Sequence, residues 1–454
     1  MALTQNNSHG AAAPAKSQAQ GALRGSITVP GDKSISHRAL MLASQALGTT
    51  TVHGLLEGED VLCTAKALQQ CGVPITKQND GSWVISGVGI HGLHAPADVL
   101  DMGNAGTAVR LMMGLLAPYP FTTHFTGDES LCKRPMARVT NPLQEMGARF
   151  DSREGGRLPI AMQGSTDLLP IHYTLPMASA QVKSAILLAA LATRGTTTVV
   201  EPEATRDHTE RMLRFFGIAI DSSTDSASHA VTITLNGLQA QSPQERQFTV
   251  PADPSSAAFP IVAALITPGS EVTVTNVCLN PLRTGLFTTL QEMGAQLTIS
   301  NRREVGGEEV GDITARHSAL RGVTVPAERA PSMIDEYPVL SIAAAFANGD
   351  TAMLGLDELR VKESDRLSAI LNGLQQCGVA ARAEGNDLFV SGNGTAPAGG
   401  GPVVTHYDHR IAMSFLVMGM AAQSPVTVDD VRAIATSFPG FMGLMRGLGA
   451  EIHD

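Results

Sequence analysis

Charged and aromatic residues are both scarce in this chain of 454 residues. Asp, Glu, Lys and Arg make up 16% of the sequence, whereas about 25% is usual for soluble domains. Phe, Trp and Tyr together make up only 4%, and Gly is frequent, with 45 residues. This composition favours tightly packed helices of small residues joined by short turns, and it does not favour disorder or a coiled coil.

Long apolar runs are also missing. The longest, such as residues 185–192, fall far short of the roughly 18 residues that a membrane span needs, which excludes a transmembrane protein. The net charge of −10 argues against broad binding to nucleic acid or to an anionic membrane, because both require a basic surface. A small anionic ligand is still compatible with this charge, since a site can be locally basic on an acidic protein.

Cysteine is rare, and no two cysteines form a CxxC pair; the five are Cys63, Cys71, Cys132, Cys278 and Cys377. An odd and sparse set fits a reducing compartment better than a disulfide framework. Residues 1–21 lack the apolar segment of a secretory signal. We therefore expect a cytoplasmic protein in which residues 1–24 form a disordered tail and the crossover into the domain of the C-terminal half.

A helix that ends in Gly, followed by a small apolar residue, recurs six times. The six glycines, spaced by 75, 70, 77, 84 and 71 residues, are Gly72, Gly147, Gly217, Gly294, Gly378 and Gly449. Gly after a helix suits the left-handed C-cap conformation. Earlier in each unit, a small polar cluster opens an Ala-rich helix. The pattern predicts an α/β protein built from six β-α-β-α-β-β repeats.

Six repeats divide most simply into two domains of three. Repeats 1–3 would occupy residues 25–248 and repeats 4–6 residues 249–454. Helix N-termini carry free N–H groups and partial positive charge. If several of the polar clusters converge, their helix starts form an anion-binding site.

Residues 30–38 are the segment richest in groups that bind anions. Lys33 and Ser34 lie at a turn that opens a helix, and Arg38 shares a helix face with Ser34. Such a set suits a phosphate or a carboxylate, although a capped helix with solvated charges has the same pattern. Gly106 would let a ligand approach the backbone closely. Arg134 would point away from a helix start, where a solvated side chain is the alternative.

Two further segments combine basic and acidic residues. Lys362 and Arg366 are four residues apart, where like charges repel on a helix, and either a bound anion or the flanking carboxylates would relieve the repulsion. Asp335 and Arg410 lie at helix starts, Asp335 as a general base or an N-cap and Arg410 as an anion contact. No metal-ligand spacing, phosphate-binding GxxxxGK[ST] loop or GxSxG motif occurs, so we expect no metal.

Seven segments together resemble the bacterial class II group of 5-enolpyruvylshikimate-3-phosphate (EPSP) synthases. They are PGDKSISHR (30–38), GNAGTAVR (103–110), KRP (133–135), ASAQVKSA (178–185), the segment around Asp335, VKESDR (361–366) and DHRIAMSF (408–415). The resemblance implies a two-domain inside-out α/β barrel, the enolpyruvyl transferase fold, with three repeats in each domain. It places the active site in the cleft between the domains, facing the helix N-termini.

The resemblance also implies an activity. Members of this family transfer the enolpyruvyl group of phosphoenolpyruvate to the 5-hydroxyl of shikimate 3-phosphate and release phosphate, by addition and elimination through a tetrahedral intermediate. The step belongs to the shikimate pathway, toward chorismate and the aromatic amino acids, and it needs no metal or organic cofactor. The expected partners are these two small molecules and the inhibitor glyphosate, bound to a monomer.

Carried over residue by residue, the resemblance assigns the contacts of both substrates. The shikimate 3-phosphate contacts are Lys33, Ser34, Arg38, Ser179, Ala180, Gln181, Arg206, Asp335 and Lys362. The phosphoenolpyruvate contacts are Lys33, Gly106, Arg134, Gln181, Arg366 and Arg410. In the chemical step, Asp335 resembles the base for the 5-hydroxyl, Glu363 helps to protonate the methylene, and Lys33 and Lys362 touch the transferring centre.

Some positions depart from the family pattern. Thr436 stands where many members have Lys, so one anion contact is missing or replaced. Resistant members of the class II group carry Ala where this chain has Gly106, which predicts sensitivity to glyphosate. Sensitive members often have Pro at the position of Leu111.

Two other functions remain as alternatives. The enolpyruvyl transferase of UDP-N-acetylglucosamine has a catalytic Cys five residues before an Arg-Pro pair, but here that position is Glu129, and Cys132 lies only two residues before Arg134. A non-catalytic repeat protein that binds anions is the second alternative. It would have little reason to place carboxylates such as Asp335 and Glu363 beside its basic residues.

Overall fold

The computed structural model describes residues 11–237 and 243–454. Its strands are β1 (Ala15–Gln18), β2 (Arg24–Ile27), β3 (Leu47–His53), β4 (Ile75–Lys77), β5 (Trp83–Val88), β6 (Leu100–Asp101), β7 (Thr122–Thr126), β8 (Arg149–Arg153), β9 (Arg157–Gln163), β10 (His172–Thr174), β11 (Gly195–Glu201), β12 (Asp221–Thr224), β13 (Val231–Gly237), β14 (Gln247–Thr249), β15 (Glu271–Cys278), β16 (Gln296–Val305), β17 (Glu308–Arg316), β18 (Thr324–Val325), β19 (Asn348–Met353), β20 (Ala380–Glu384), β21 (Asp387–Asn393), β22 (Gly400–Val403), β23 (Val426–Val428) and β24 (Glu451–His453).

The helices alternate with these strands. They are α1 (Lys33–Gln45), α2 (Glu59–Gln70), α3 (Gly106–Leu116), α4 (Glu129–Lys133), α5 (Ala137–Glu145), α6 (Ala180–Ala190), α7 (His208–Phe215), α8 (Pro254–Ile266), α9 (Gly285–Glu292), α10 (Tyr337–Phe346), α11 (Arg366–Gln376), α12 (His409–Gly419) and α13 (Phe441–Gly447). Three short 3₁₀ helices cover Ala327–Ser332, Asp357–Val361 and Arg432–Thr436. No helix in the described part of the chain is long and apolar enough to cross a bilayer.

The strands form six four-stranded sheets with one shared strand order. In each sheet, a first strand pairs in parallel with a second, and a fourth strand lies antiparallel between the second and the third, as in the order β6-β7-β9-β8. The predicted six repeats are therefore confirmed, except that the sixth has three strands of its own and takes its fourth, β1, from the N-terminal region. The six sheets are separate, so among the described residues no barrel is closed by strand pairing.

Three strands are exchanged between repeats that lie far apart in the chain. Strand β2 precedes α1 but pairs with β15 of the fourth repeat, whereas β14 precedes α8 and pairs with β3 of the first repeat. Strand β1 takes the place of the fourth strand in the last sheet, between β23 and β24.

The prediction of a disordered tail is wrong for β1. Ala15 and Ser17 are buried while Lys16 is exposed, so the strand has one face in the core although its composition is that of a tail. Residues 1–10 of the predicted tail lie outside the described residues. The predicted boundary at residue 25 also differs from the structure, because Arg24–Ile27 belongs to a sheet of the C-terminal half.

Buried hydrophobic residues form two cores. One extends over residues 35–250 together with Cys278, and the other over residues 15–29 and 252–452. We call the parts of the chain around them the N-body and the C-body. The first helices of the repeats pack together inside each body. In the N-body, α3 packs against α1 and α6, and in the C-body, α8, α10 and α12 pack against one another. Because these helices are buried, they hold few charged residues, which explains the low charge content of the chain.

Two short segments connect the bodies and run side by side. The Asp32 amide donates to the Pro251 carbonyl at 2.8 Å, and the Asp253 amide donates to the Pro30 carbonyl at 2.9 Å. Gly31 lies at this crossing, and a Cβ there would be 2.1 Å from the Gly54 carbonyl oxygen. Only glycine therefore fits at this position.

The predicted helix ends are confirmed. All six repeat glycines have a positive φ, between 75° and 114°, as the left-handed C-cap requires. At the other end, the side chains of Asp32, Ser179, Asp253 and Asp408 accept hydrogen bonds from the first turns of α1, α6, α8 and α12. These four helices start at the border between the bodies. Two of the caps, Asp32 and Asp253, also belong to the segments that connect the bodies.

A buried histidine joins α1 to α2 in the N-body. His37 is fully buried, and its Nδ1 lies 2.7 Å from the Thr64 hydroxyl. Its Nε2 has no hydrogen-bond partner. Burial holds the pKa of His37 well below its usual value of 6.5, and the nearby charges of Lys33 and Arg38 lower it further. The folded protein therefore keeps this ring neutral.

We predict that His37 makes the folded state less stable as the pH falls below 6.5. In the unfolded chain the ring takes up a proton near its ordinary pKa, but the folded chain cannot, so this stabilisation is complete above pH 6.5 and is lost toward the lowered pKa. The loss is at most about 1.4 kcal/mol for each pH unit. Urea titrations between pH 7.5 and 5 should show a smaller loss of the free energy of unfolding for His37→Asn than for the wild type. The control His229→Asn, at an exposed residue, should match the wild type, and equal slopes for all three proteins would contradict the prediction.

Candidate active site

A cleft of about 830 Å³ opens between the two bodies. Every site residue proposed from the sequence lines it except Arg366: Lys33, Ser34, Arg38, Gly106, Arg134, Ser179, Ala180, Gln181, Arg206, Asp335, Lys362, Glu363 and Arg410. These residues come from five of the six repeats, and many of them lie at the starts of the repeat helices. The cleft therefore gathers the polar clusters whose convergence the repeat pattern suggested.

The start of α1 provides a cation that is held by uncharged groups. Arg38 is 3% exposed and donates to the Ser34 carbonyl at 2.9 Å and to the hydroxyls of Thr209 and Ser184 at 2.7 Å each. Burial lowers the pKa of its guanidinium to about 10, so it stays charged at neutral pH. In contrast, Lys33 forms an ion pair with Asp60. Arg38 can offer its charge to a bound anion without first losing a carboxylate partner.

A second basic group surrounds the start of α3. The Arg134 guanidinium donates to the Asn104 side-chain oxygen at 2.7 Å, and the Arg110 guanidinium donates to Gln181 at 2.8 Å. A Cβ on Gly106 would lie 3.1 Å from an Nη1 atom of each arginine. The sequence reasoning did not select Arg110, although the GNAGTAVR segment ends with it. Its position beside Gly106 is the signal that could have identified it.

The start of α6 completes this wall of the cleft. Ser179 is the N-cap, with its hydroxyl 3.4 Å from the Val182 amide, and Ala180 is the first helical residue. Gln181 uses its amide group to donate to the Thr107 hydroxyl at 2.9 Å while it accepts from Arg110. Gln181 thus links the starts of α3 and α6.

Asp335 lies among four cations. Its carboxylate is 2.9 Å from Arg206, 3.1 Å from Arg366 and 3.6 Å from Lys362. The fourth, Arg410, donates to the Asp335 carbonyl at 3.0 Å. Burial alone would raise the pKa of Asp335, but Lys362 and the arginines outweigh it and hold the pKa well below its usual range. The N-cap of α10 is the next residue, so N-capping, the alternative for Asp335, is wrong.

Arg366 lies behind the cleft and does not line it. It is 1% exposed, with Nε 2.8 Å from Asp408 and Nη1 3.1 Å from Asp335. Its Nη2 donates to Glu363. The pKa of Glu363 is strongly lowered, because Arg366 and the weaker fields of His409, Arg134 and Lys33 together outweigh the effect of burial. The flanking carboxylate of Glu363 therefore compensates the charge of Arg366, which was one of the two interpretations of the sequence. Asp408 has two roles, since it caps α12 and pairs with Arg366.

The two walls of the cleft carry opposite charge. On the N-body wall, six basic residues accompany two acidic ones: Lys33, Arg38, Arg110, Arg134, Arg138 and Arg206, with Asp60 and Glu203. On the C-body wall, three basic residues accompany six acidic ones: Arg283, Lys362 and Arg410, with Asp253, Glu328, Asp335, Asp357, Glu358 and Glu363. Two ion pairs cross the cleft, Arg206 with Asp335 and Arg138 with Glu358. Such a site can hold polyanions on one wall and present carboxylates from the other.

Sequence reasoning also missed Arg283, because no motif surrounds it. Its guanidinium reaches Asp32 at 2.6 Å and Asp253 at 3.0 Å, and it is 3% exposed. It therefore ties together the two segments that connect the bodies.

Two residues that departed from the family pattern do not line the cleft. Thr436 donates its hydroxyl to the Ala433 carbonyl at 2.7 Å and is 9% exposed. Leu111 is fully buried in the N-body core. Cys132 is half-buried and donates to the Gly127 carbonyl at 3.3 Å, away from the cleft. Among residues 11–237 and 243–454, no group of three His, Cys, Asp or Glu side chains could hold a metal ion.

Comparisons with known proteins show the family of the chain. The family model described as EPSP synthase (3-phosphoshikimate 1-carboxyvinyltransferase) matches residues 17–445. A 3-phosphoshikimate 1-carboxyvinyltransferase of Paramagnetospirillum magneticum is 58% identical over 446 residues, covering 97% of this chain and 98% of the relative. One from Caulobacter vibrioides is 58% identical over 439 residues, with the same two coverages.

Solved structures show the same architecture. An EPSP synthase from Acinetobacter baumannii superposes with a TM-score of 0.86 at 44% identity, covering 97% of this chain and all of that one. An enolpyruvyl transferase from Streptomyces tendae has a TM-score of 0.76 at 16% identity and covers 97% of this chain and 99% of its own. The latter likeness concerns the fold alone. The predicted enolpyruvyl transferase fold is confirmed, and the chain belongs to the EPSP synthase (3-phosphoshikimate 1-carboxyvinyltransferase) family.

Proposed function

We propose that this protein transfers the enolpyruvyl group of phosphoenolpyruvate to the 5-hydroxyl of shikimate 3-phosphate and releases phosphate, as a step of the shikimate pathway. The observation that carries the proposal is the cleft with a basic wall opposite Asp335 and Glu363, in a chain of this family. Two substrates that both bear phosphate repel each other. Clustered cations hold them together in reactive geometry and stabilise the charge that develops.

The acceptor would bind along the N-body wall. Its contacts are Lys33, Ser34, Arg38, Ser179, Ala180, Gln181 and Arg206, with Asp335 and Lys362 facing it from the C-body. Arg38 has no carboxylate among its hydrogen-bond partners, which suits a site for a phosphate. Arg206 is paired with Asp335, so a bound phosphate would compete with that carboxylate for the guanidinium.

The donor would bind near Gly106, between the bodies. Lys33, Arg134, Gln181 and Arg410 are its contacts in this proposal. Arg110, beside Gly106, adds a cation to the same region. Arg366 lies behind Asp335 and Glu363, so it reaches the donor only by giving up a carboxylate partner. If it keeps both partners, it holds the carboxylates of Asp335 and Glu363 in place.

The chemistry would proceed by addition and then elimination. Asp335 takes the proton of the 5-hydroxyl while the oxygen bonds to C2 of phosphoenolpyruvate, and the C3 methylene gains a proton from the group of Glu363, Lys33 and Lys362. The tetrahedral intermediate then expels phosphate, and the new methyl group returns a proton, which restores the double bond. No metal or organic cofactor enters these steps.

Asp335 is a weak base in the described structure because four cations lower its pKa. A base works best when its pKa lies near the working pH. Substrate phosphates that draw Arg206 and Lys362 toward themselves would remove part of this stabilisation and raise the pKa of Asp335. In this proposal, binding of the two anions therefore activates the base.

We further propose that the protein is a cytoplasmic monomer of two domains, which correspond to the N-body and the C-body. All five cysteines are free thiols in the structure, which suits a reducing compartment. All the proposed site residues except Arg366 line the cleft of a single chain, which supports the proposal of a monomer.

The decisive assay is phosphate release from phosphoenolpyruvate with a choice of acceptor. We expect the purified protein to release phosphate only with shikimate 3-phosphate. Release with UDP-N-acetylglucosamine instead would favour the related transferase. If neither acceptor supports release from folded protein, the non-catalytic anion-binding alternative would be favoured.

We predict that Asp335→Asn lowers kcat by about 10²–10⁴-fold, the usual contribution of a general base. Affinity for shikimate 3-phosphate should not weaken, because the variant removes a negative charge that competes with the phosphate for Arg206. Steady-state kinetics and calorimetric titration would measure the two quantities. Asp357→Asn makes the same change elsewhere on the C-body wall and should keep kcat. A near-normal kcat for Asp335→Asn would exclude Asp335 as the base.

We also predict that Gly106→Ala weakens glyphosate inhibition. The added methyl group would lie 3.1 Å from Arg110 and from Arg134, so both guanidinium groups must shift at the proposed phosphoenolpyruvate site. Steric changes of one methyl are worth roughly 10–200-fold in discrimination, and the inhibition constant should rise by at least about tenfold. Gly443→Ala, whose Cβ meets nothing within 4 Å, is the control. Equal inhibition constants for wild type and Gly106→Ala would contradict the steric argument.

A further inference from the structure

A buried lysine lies directly behind the acceptor wall of the cleft. Lys183, in α6, is 0% exposed. Its Nζ lies 2.9 Å from Glu201, 2.8 Å from Glu210 and 3.4 Å from the Thr205 carbonyl. Charged side chains are rarely buried so completely unless they are paired. The proposed mechanism gives Lys183 no role.

The partners of Lys183 enclose the loop that carries Arg206. Glu201 is the last residue of β11, and Glu210 lies in the first turn of α7. The loop between them spans residues 202–207. Within it, the Thr205 hydroxyl donates to the same Glu201 that binds Lys183. Lys183 thus joins the two ends and the middle of a loop that has no regular secondary structure of its own.

The neighbours of this cluster hold the other acceptor arginine. Ser184 follows Lys183 in α6, and Thr209 precedes Glu210 in α7. Their hydroxyls lie 2.7 Å from each other, and each accepts from Arg38 at 2.7 Å. Ser184 and Thr209 therefore hold Arg38, while the adjacent residues Lys183 and Glu210 hold the loop of Arg206.

Stability by itself does not explain a buried cation here. Replacing a buried ion cluster by well-packed apolar residues is often neutral or even stabilising, and α6 is otherwise a strongly apolar helix. The lysine gives what an apolar side chain cannot, namely directional bonds to three points around the Arg206 loop. Such bonds favour one loop conformation over others.

We propose that Lys183, with Glu201, Glu210 and Thr205, is a positioning cluster for the phosphate of the acceptor. It acts through Arg206 and leaves the donor site and the chemical step unaffected. The proposal rests on the proposed function, since it takes Arg206 as a contact of shikimate 3-phosphate. If the loop is released, only a fraction of the protein presents Arg206 correctly, and the apparent affinity falls by that fraction.

Thr205→Val is the sharpest variant for a test. Lys183→Met would leave two buried carboxylates without a cation and can prevent folding. The valine keeps the shape of threonine and removes only the hydroxyl that ties the loop to Glu201. Thr205→Ser restores the hydroxyl. The matched control is Thr193→Val, since Thr193 is 1% exposed just beyond the end of the same helix and its hydroxyl donates to the Ala189 carbonyl at 2.9 Å.

Thr205→Val should raise the KM and the dissociation constant for shikimate 3-phosphate by about tenfold, the equivalent of one lost hydrogen bond. The KM for phosphoenolpyruvate and kcat should change by less than about twofold, because neither depends on the loop in this proposal. Thr205→Ser should return the acceptor affinity to near the wild-type value. Thr193→Val should leave all three quantities unchanged while losing a similar amount of thermal stability.

Two results would overturn the inference. One is an acceptor affinity in Thr205→Val equal to that in Thr193→Val, and the other is an equal rise of both KM values. Acceptor affinity is titrated without phosphoenolpyruvate, so it is measured even if turnover fails. Absence of turnover in the wild type would count against the proposed function, whereas unchanged acceptor binding in Thr205→Val would count against the positioning cluster.

Discussion

Arg283 forms ion pairs with two aspartates, and these ion pairs determine how the two bodies meet. Asp32 caps α1 of the N-body and Asp253 caps α8 of the C-body, and the two carboxylates lie at neighbouring points of the crossing segments. Two buried carboxylates would repel each other without a cation between them. Burial raises the pKa of Asp32, but Arg283 together with His208, Arg206 and the hydrogen bond from the Ile35 amide outweighs burial, and the pKa falls to about 2. The two helix starts can therefore face the same cleft.

The two walls of the resulting cleft carry different charged groups. The N-body presents arginines held largely by hydroxyls, carbonyls and amides, as Arg38 and Arg134 show. The C-body presents carboxylates that are already ionised because cations surround them, as for Asp335. In the proposed mechanism, the N-body wall provides most of the anion contacts and the C-body wall provides the carboxylates for proton transfer. The charge of the whole chain, −10, says nothing of this division, because it averages over both walls and the outer surface.

Exchange of strands makes the two bodies depend on each other. Strand β2 completes a C-body sheet before the chain enters the N-body, and β14 completes an N-body sheet before the chain returns. Both connections then pass through the narrow crossing at Gly31. The two backbone connections between the bodies therefore lie side by side, next to the helix starts that line the cleft.

The six repeats and the glycine helix ends could be predicted from the sequence, because caps and turns are encoded within a few adjacent residues. Most of the proposed site residues were found through the resemblance to a known family, and all of them except Arg366 line the cleft. The pairing of strands into sheets follows from the folded structure and not from local sequence, since β1 pairs with strands more than 400 residues away. The folded structure also determines that Arg366 lies behind the cleft, that Arg283 joins the connections and that Lys183 braces the Arg206 loop. These roles depend on which charges meet after folding, and a buried charge takes its partner from whatever the packing brings within reach.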